Sequence, residues 1–104
     1  MLNYERYAPS PDGALADRSI TITTGGTAQD AAPANPNRVY LLIQNPSGNS
    51  GSVWFAIGTT ATAASPAIEL QPGQAWESPS SFCPTGAVSV IHSTTGTKVT
   101  VKEA

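Results

Sequence analysis

Short runs of alternating apolar and polar residues, separated by glycine and proline, constrain this chain more than any other feature. In residues 19–23, Ile20 and Ile22 alternate with hydroxyl side chains, and residues 97–103 repeat the pattern with valines. A period of two places the apolar residues on one face of a β-strand. No stretch of the sequence combines helix caps with an apolar period of 3.6 residues, so the sequence predicts an all-β chain.

Seven to eight short strands are predicted, with turns at close intervals. The strongest is 38–45, whose two faces are both apolar, which favours a strand covered on both sides. Residues 53–57 follow after a glycine-rich turn, and the pair is predicted to form an antiparallel hairpin. This pattern is typical of an antiparallel β-sandwich or a jelly roll. The predicted core consists of Ile20, Ile22, Val39, Leu41, Ile43, Val53, Phe55, Ile57, Ile68, Leu70, Phe82, Val88, Val90, Val99 and Val101.

The chain of 104 residues is one domain by size. We expect an extended N-terminal arm over residues 1–17 and a β-sandwich domain over residues 18–104. Pro9, Pro11 and Gly13 disfavour a helix in the arm. A frayed terminus is one interpretation. The other is an arm that orders against a neighbouring subunit, because apolar and aromatic anchors carry interface energy. The predicted contact residues in the arm are Leu2, Tyr4, Tyr7 and Leu15.

Trp54 is a further predicted contact residue. It falls on the face of its strand opposite Val53, Phe55 and Ile57. An exposed tryptophan can stack on a sugar or dock a partner. A role in the core is an equally open interpretation, for Trp54 and for Trp76.

The composition narrows the classes of partner. Net charge is −2, and the five Lys and Arg residues are scattered, which argues against nucleic acid as a partner. No apolar run approaches the roughly 20 residues that span a bilayer, and no signal peptide is recognisable, so we expect synthesis in a cytoplasm. Charged residues make up only 12% of the chain, while there are 11 Ser and 12 Thr. Such a surface can contact partners without desolvating many charges.

Groups for catalysis or metal binding are few. One Cys excludes an internal disulfide, and one Cys with one His is too few for a structural zinc site. His92 is predicted to be a surface or capping residue beside a turn, and Cys83 a half-buried thiol in a loop. Glu69 and Glu77 could meet across the 71–74 turn, although two solvated side chains are the simpler interpretation. We therefore expect no enzymatic activity, no cofactor and no metal.

Several segments together resemble small virion proteins of tailed bacteriophages. The first is 35–45, an Asn-x-Asn-Arg loop followed by an apolar strand that closes with Ile-Gln-Asn. The others are Val-Trp-Phe at 53–55, Ile-Glu-Leu-Gln-Pro-Gly at 68–73, the stretch 84–91 and the ending 96–103. Their order and spacing extend the resemblance over residues 18–104.

The resemblance implies a β-sandwich subunit on the surface of a phage particle, made in the bacterial host. Related subunits decorate or cement the capsid, often as trimers or dimers, and others belong to head fibres or tails. The expected partners are the major capsid protein and copies of the chain itself. The resemblance implies no catalytic residues. The alternatives are a component of the tail, baseplate or fibre base, and a carbohydrate-binding module.

Overall fold

The computed structural model describes residues 15–104, and this part of the chain contains nine β-strands and no helix. Most strands are short, because a turn residue interrupts each apolar run after a few positions. The strands are β1 (Ala16–Asp17), β2 (Ile20–Thr21), β3 (Gln29–Ala32), β4 (Leu41–Gln44), β5 (Val53–Ile57), β6 (Ile68–Leu70), β7 (Ala75–Glu77), β8 (Val88–Ile91) and β9 (Lys98–Glu103).

The strands form two antiparallel sheets that share one core. In the first sheet β1 and β2 both pair with β9, which is followed by β4 and β7. The second sheet has the order β3-β8-β5-β6. The all-β prediction is confirmed, and the two facing sheets are sandwich-like. The predicted hairpin of β4 and β5 is wrong, because the chain crosses between the sheets there. Eight residues, 45–52, join these strands, enough to span the ~10 Å between packed sheets.

The strand count differs from the prediction because Ala16–Asp17, at the end of the expected arm, forms an additional strand ahead of the strand predicted at 19–23. Ala16 pairs with Glu103 and Ile20 with Val99, so β1 and β2 follow one unbroken register along β9. Between them, the Val101 amide donates to the Ser19 hydroxyl at 3.1 Å. A side-chain oxygen thus takes the place of a backbone acceptor and interrupts the ladder. The result is nine strands in the described residues instead of seven to eight.

Most of the predicted core is confirmed. The inner faces of both sheets are buried at Ile22, Leu41, Ile43, Val53, Phe55, Leu70, Val88, Val90, Val99 and Val101. Phe55 lies at the centre, and its ring centroid is 5.5 Å from that of Trp76. Two predictions are wrong: Ile68 is 46% exposed and Phe82 is 62% exposed. Ile68 begins β6, which has no further strand beside it among residues 15–104, and Phe82 lies in a loop.

A close backbone approach at Gly25 gives the first testable prediction. A Cβ atom at Gly25 would lie 2.3 Å from the carbonyl oxygen of Ser93 and 2.9 Å from the amide nitrogen of Thr95. Neither backbone atom can rotate away as a side chain would. We expect Gly25→Ala to lower the free energy of unfolding by about 1–3 kcal/mol, the usual cost of overpacking. Urea denaturation measures this difference.

Gly48→Ala is the matched control for this prediction. A Cβ atom at Gly48 would meet nothing within 4 Å, and the Gly48 backbone does not have a positive φ. We expect the free energy of unfolding to stay within about 0.5 kcal/mol of the wild-type value, as for most surface substitutions. Equal losses in the two variants would show that the contact with the 93–95 segment is not the cause.

Candidate functional site

The predicted contact residues fall in different parts of the molecule. Leu2, Tyr4 and Tyr7 lie outside the described residues. Leu15 directly precedes β1 and is 45% exposed. Trp54 lies on the outer face of the second sheet, where it pairs with Ile91 and Glu69 and is partly exposed. Leu15 and Trp54 are therefore accessible, but they do not form one continuous site.

The exposed large apolar side chains of residues 15–104 are concentrated at one end of the two sheets. They are Leu15, Ile68 and Phe82. Leu15 adjoins the pairing of Ala16 with the end of β9, and Ile68 begins β6 beside the end of β5. Phe82 lies in the loop that joins the end of β7 to the start of β8. We call this the apolar end.

The loop of residues 78–87 explains why Phe82 faces outward. The Phe82 amide donates to the Pro79 carbonyl at 3.2 Å, which closes a turn. Cys83, next in the chain, is buried against the core. Since neighbouring residues in extended chain point to opposite sides, the buried thiol leaves the larger phenyl ring on the surface. Cys83 is thus more deeply buried than the sequence predicted.

A buried ion pair holds the apolar end together. Arg38 Nε donates to Glu103 Oε1 at 2.7 Å, and both side chains are almost fully buried. Arg38 also donates to the carbonyl oxygens of Pro33, Pro84 and Gly86, each at 2.9 Å. One guanidinium therefore joins two loops to the last strand.

Glu103 also accepts a hydrogen bond from the more exposed Arg18, at 2.8 Å. Burial alone would raise the pKa of the Glu103 carboxyl, but hydrogen bonds from Arg38 and Arg18, together with their charges, hold this pKa below its usual range. Glu103 is therefore held in its charged form. This ion pair was not predicted from the sequence. The inward positions of Val99 and Val101 nevertheless indicate that Glu103, on the same face of the strand, also points inward.

The opposite end of the sheets is small and polar. Its loops are 22–28, 45–52, 71–74 and 92–97, and they contain no Asp, Glu, Lys or Arg. Thr, Ser, Gly, Asn and Gln make up most of them, so we call this the hydroxyl end. The two ends thus differ sharply in chemistry, although they belong to the same two sheets.

Asn45 organises two loops of the hydroxyl end. Its side chain is fully buried, and Nδ2 donates to the carbonyl oxygens of Gly51 and Leu70 at 3.1 and 2.8 Å. Its Oδ1 accepts from Asn49 Nδ2 at 2.8 Å. Both side-chain groups of Asn45 therefore have partners in the 46–51 loop or at the end of β6.

His92 is buried at the hydroxyl end, so its predicted surface position is wrong and its capping role is confirmed. Its Nδ1 accepts from the Thr94 amide at 2.9 Å, while Nε2 lies 2.8 Å from the Ser50 carbonyl oxygen. An amide can only donate, so Nδ1 is the acceptor and Nε2 carries the proton. The ring caps the turn that follows β8 and ties it to Ser50.

The pairs considered for catalysis are kept apart. Cys83 lies in a loop of the apolar end and His92 lies at the hydroxyl end. Glu69 is on the outer face of the second sheet and Glu77 on that of the first. Glu77 accepts from the Tyr40 hydroxyl at 2.7 Å. Partial burial of Tyr40, together with Glu77, raises the pKa of that hydroxyl.

Among residues 15–104, no group of three or more His, Cys, Asp or Glu side chains is placed to hold a metal ion. Over the same residues, no helix has the length and apolar character needed to cross a membrane. Comparison of the chain with protein-family models, curated proteins and solved structures finds no match in any of the three. What the protein does is therefore inferred from the surfaces of the molecule itself.

Proposed function

We propose that this protein is a structural, non-enzymatic subunit of a bacteriophage virion that decorates or cements the capsid shell. Its partners are the major capsid protein and copies of itself, in a dimer or a trimer. It binds the shell through the apolar end by non-covalent contacts. The resemblance of residues 18–104 to small virion proteins motivates the proposal.

We also propose that the two sheets form a jelly roll, and the strand order supports this. With β1 and β2 taken as one strand of continuous register, the sheets read first-eighth-third-sixth and second-seventh-fourth-fifth. Two Greek keys in eight strands produce this arrangement. Such a framework leaves loops at both ends of the sheets, where contacts can vary independently of the core.

The concentration of Leu15, Ile68 and Phe82 at one end carries the functional proposal. An exposed apolar group gains free energy when a partner removes it from water, by about 25 cal/mol per Å² of apolar surface. The hydroxyl end has no such exposed apolar groups, and its hydroxyl and amide side chains can hydrogen-bond to water, which suits a surface that remains in water. A subunit that stands on a shell requires this difference between its two ends, and repeated copies add their weak contacts by avidity.

The first test is the copy number of this chain in purified particles, measured by quantitative mass spectrometry against the major capsid protein. A ratio near one to one, or near one to a small integer, supports shell decoration. A far lower ratio overturns decoration in favour of a tail, baseplate or fibre-base component. Absence from purified particles overturns any virion role.

Replacement of Phe82 separates binding from folding. Phe82 is 62% exposed and lies in a loop, so Phe82→Ser is expected to change the free energy of unfolding by about 0.5 kcal/mol or less. Aromatic anchors are common hot spots, so we expect its affinity for assembled shells to fall at least tenfold, about 1.4 kcal/mol. Co-sedimentation with shells that lack the protein measures the affinity.

Thr95→Ser, at the hydroxyl end, is the matched control. It removes one methyl group from an exposed loop and retains the hydroxyl that accepts from the Gly25 amide. Unchanged shell binding in this variant and loss in Phe82→Ser would support docking through the apolar end. Full shell binding by Phe82→Ser would contradict it.

A further inference from the structure

We propose that the outer face of the second sheet carries a saccharide-binding subsite built around Trp54. The subsite consists of Ser52, Trp54, Glu69 and Ile91, which we call the Trp54 patch. Trp54 pairs with Glu69 on β6 and with Ile91 on β8, so the three side chains lie side by side on one face. Ser52 joins them through a hydrogen bond from its hydroxyl to Glu69 Oε2.

Trp54 provides the apolar wall of the patch. Its strand neighbours Val53 and Phe55 are fully buried on the inner face, so the backbone directs the indole outward. Ile91 is nearly buried beside it, whereas Trp54 remains partly exposed. An aromatic ring that is supported from the side and open to water can stack on the apolar face of a pyranose.

Glu69 and Ser52 provide the polar part of the patch. A carboxylate can accept about four hydrogen bonds, and the Ser52 hydroxyl supplies one of them. This bond restricts the carboxylate next to the indole, so less freedom is lost when a ligand binds. Glu69 is exposed, and charge-assisted bonds from vicinal sugar hydroxyls to it would be stronger than neutral ones. An indole beside an oriented carboxylate matches a sugar ring, which has an apolar C–H face and hydroxyl groups around its edge.

A saccharide fits this chemistry better than an organic cation does. Sites for quaternary ammonium groups surround the charge with several aromatic rings. The other members of the Trp54 patch are one aliphatic, one hydroxyl and one carboxylate side chain, and the second tryptophan, Trp76, packs against Phe55 at the core. A single flat wall with acceptors at its edge suits a ligand that has one apolar C–H face and many hydroxyl groups.

The position of the patch allows it to act while the apolar end is occupied. Trp54 lies at the second position of β5, next to the hydroxyl end, and Glu69 pairs with it from the middle of β6. A subunit that stands on its apolar end would therefore present the patch to the surroundings. One subsite of this size is weak, with a Kd on the order of 1 mM, and many copies on one particle would add by avidity. The free protein binds the saccharide whether or not the shell proposal holds.

Nuclear magnetic resonance of the free, full-length protein tests the subsite, because the two tryptophans give two indole N–H signals. The probes are maltotriose and N,N′,N″-triacetylchitotriose, titrated to about fifty times the expected Kd. We expect the Trp54 signal to shift and saturate with at least one probe, while the Trp76 signal stays in place. Trp54→Phe assigns the two signals.

Two variants identify the groups that bind. Trp54→Ala should abolish the saturable shifts of the backbone amide signals in the patch, and Glu69→Gln should weaken binding about tenfold, equivalent to 1.4 kcal/mol. Unchanged dispersion of the remaining amide signals shows that either variant is folded. The proposal is overturned if neither probe shifts the Trp54 signal, if Glu69→Gln binds as the wild type does, or if choline shifts the signal and both saccharides do not.

Discussion

Replacing Glu103 with alanine is expected to lower the free energy of unfolding by about 3–5 kcal/mol, as when one partner of a buried ion pair is removed. The substitution leaves the Arg38 guanidinium in a site where its side chain is 0% exposed. Its other hydrogen bonds go to backbone carbonyl oxygens of two loops, which carry no full negative charge. Urea denaturation of both proteins measures the loss, and thermal unfolding should show a matching decrease in Tm.

Arg18→Ala is the matched control for this result. Arg18 bonds the same carboxylate, but its side chain is 44% exposed, so water replaces the lost bond. We expect a loss of at most about 1 kcal/mol, as for surface ion pairs. If the two substitutions cost the same, the burial of Arg38 is not what makes Glu103 important.

The same carboxyl predicts a pH dependence. The pKa of Glu103 in the folded protein lies below the ordinary 4.5. A depressed pKa means that the unfolded chain binds the proton more readily than the folded one. The stability from this group is therefore fully present above pH 4.5 and is lost as the pH falls through the lower folded value. Glu103→Ala should weaken this acid sensitivity, and a stability curve of unchanged slope between pH 5 and the acid transition would contradict the assignment.

Asn45→Asp is the second substitution with a large expected effect. The carboxylate has nearly the same shape as the amide, but it places an oxygen where Nδ2 donates to the carbonyls of Gly51 and Leu70. Two hydrogen bonds then become repulsive contacts around a buried charge. We expect a loss of about 3–5 kcal/mol at neutral pH, comparable to other uncompensated buried charges. Denaturation at pH 7 measures it.

Asn49→Asp provides the comparison in the adjoining loop. Asn49 is only partly buried, and its Nδ2 donates to Asn45 Oδ1 and to the Lys98 carbonyl. Water can solvate a carboxylate at this position, so we expect a loss of about 1–2 kcal/mol from the two bonds. A loss for Asn45→Asp below that of Asn49→Asp would show that the 46–51 loop rearranges to admit water.

The fold was predictable where one local rule decides the outcome. Alternation in 97–103 places Val99 and Val101 inward whichever strand pairs with them, and both are buried. Pairing was less predictable, because the length of the link between β4 and β5 is compatible with a hairpin or with a crossing between sheets. The exposure of Phe82 also could not be read from hydrophobicity, since the buried position in its loop belongs to Cys83. The outward direction of Trp54, by contrast, was predictable, because alternation along β5 places it on the face opposite Val53 and Phe55.

The position of β9 in the first sheet has a consequence for biosynthesis. β9 follows every other strand in the chain, yet it lies between β1 and β2 on one side and β4 on the other. A ribosome therefore exposes β1 and β2 long before β9, the strand with which they pair among residues 15–104, has been made. Strand edges that remain unpaired can associate with neighbouring nascent chains. We expect the first sheet to close only after β9 has left the exit tunnel, so that translation, rather than local pairing, sets the earliest moment at which this protein can fold.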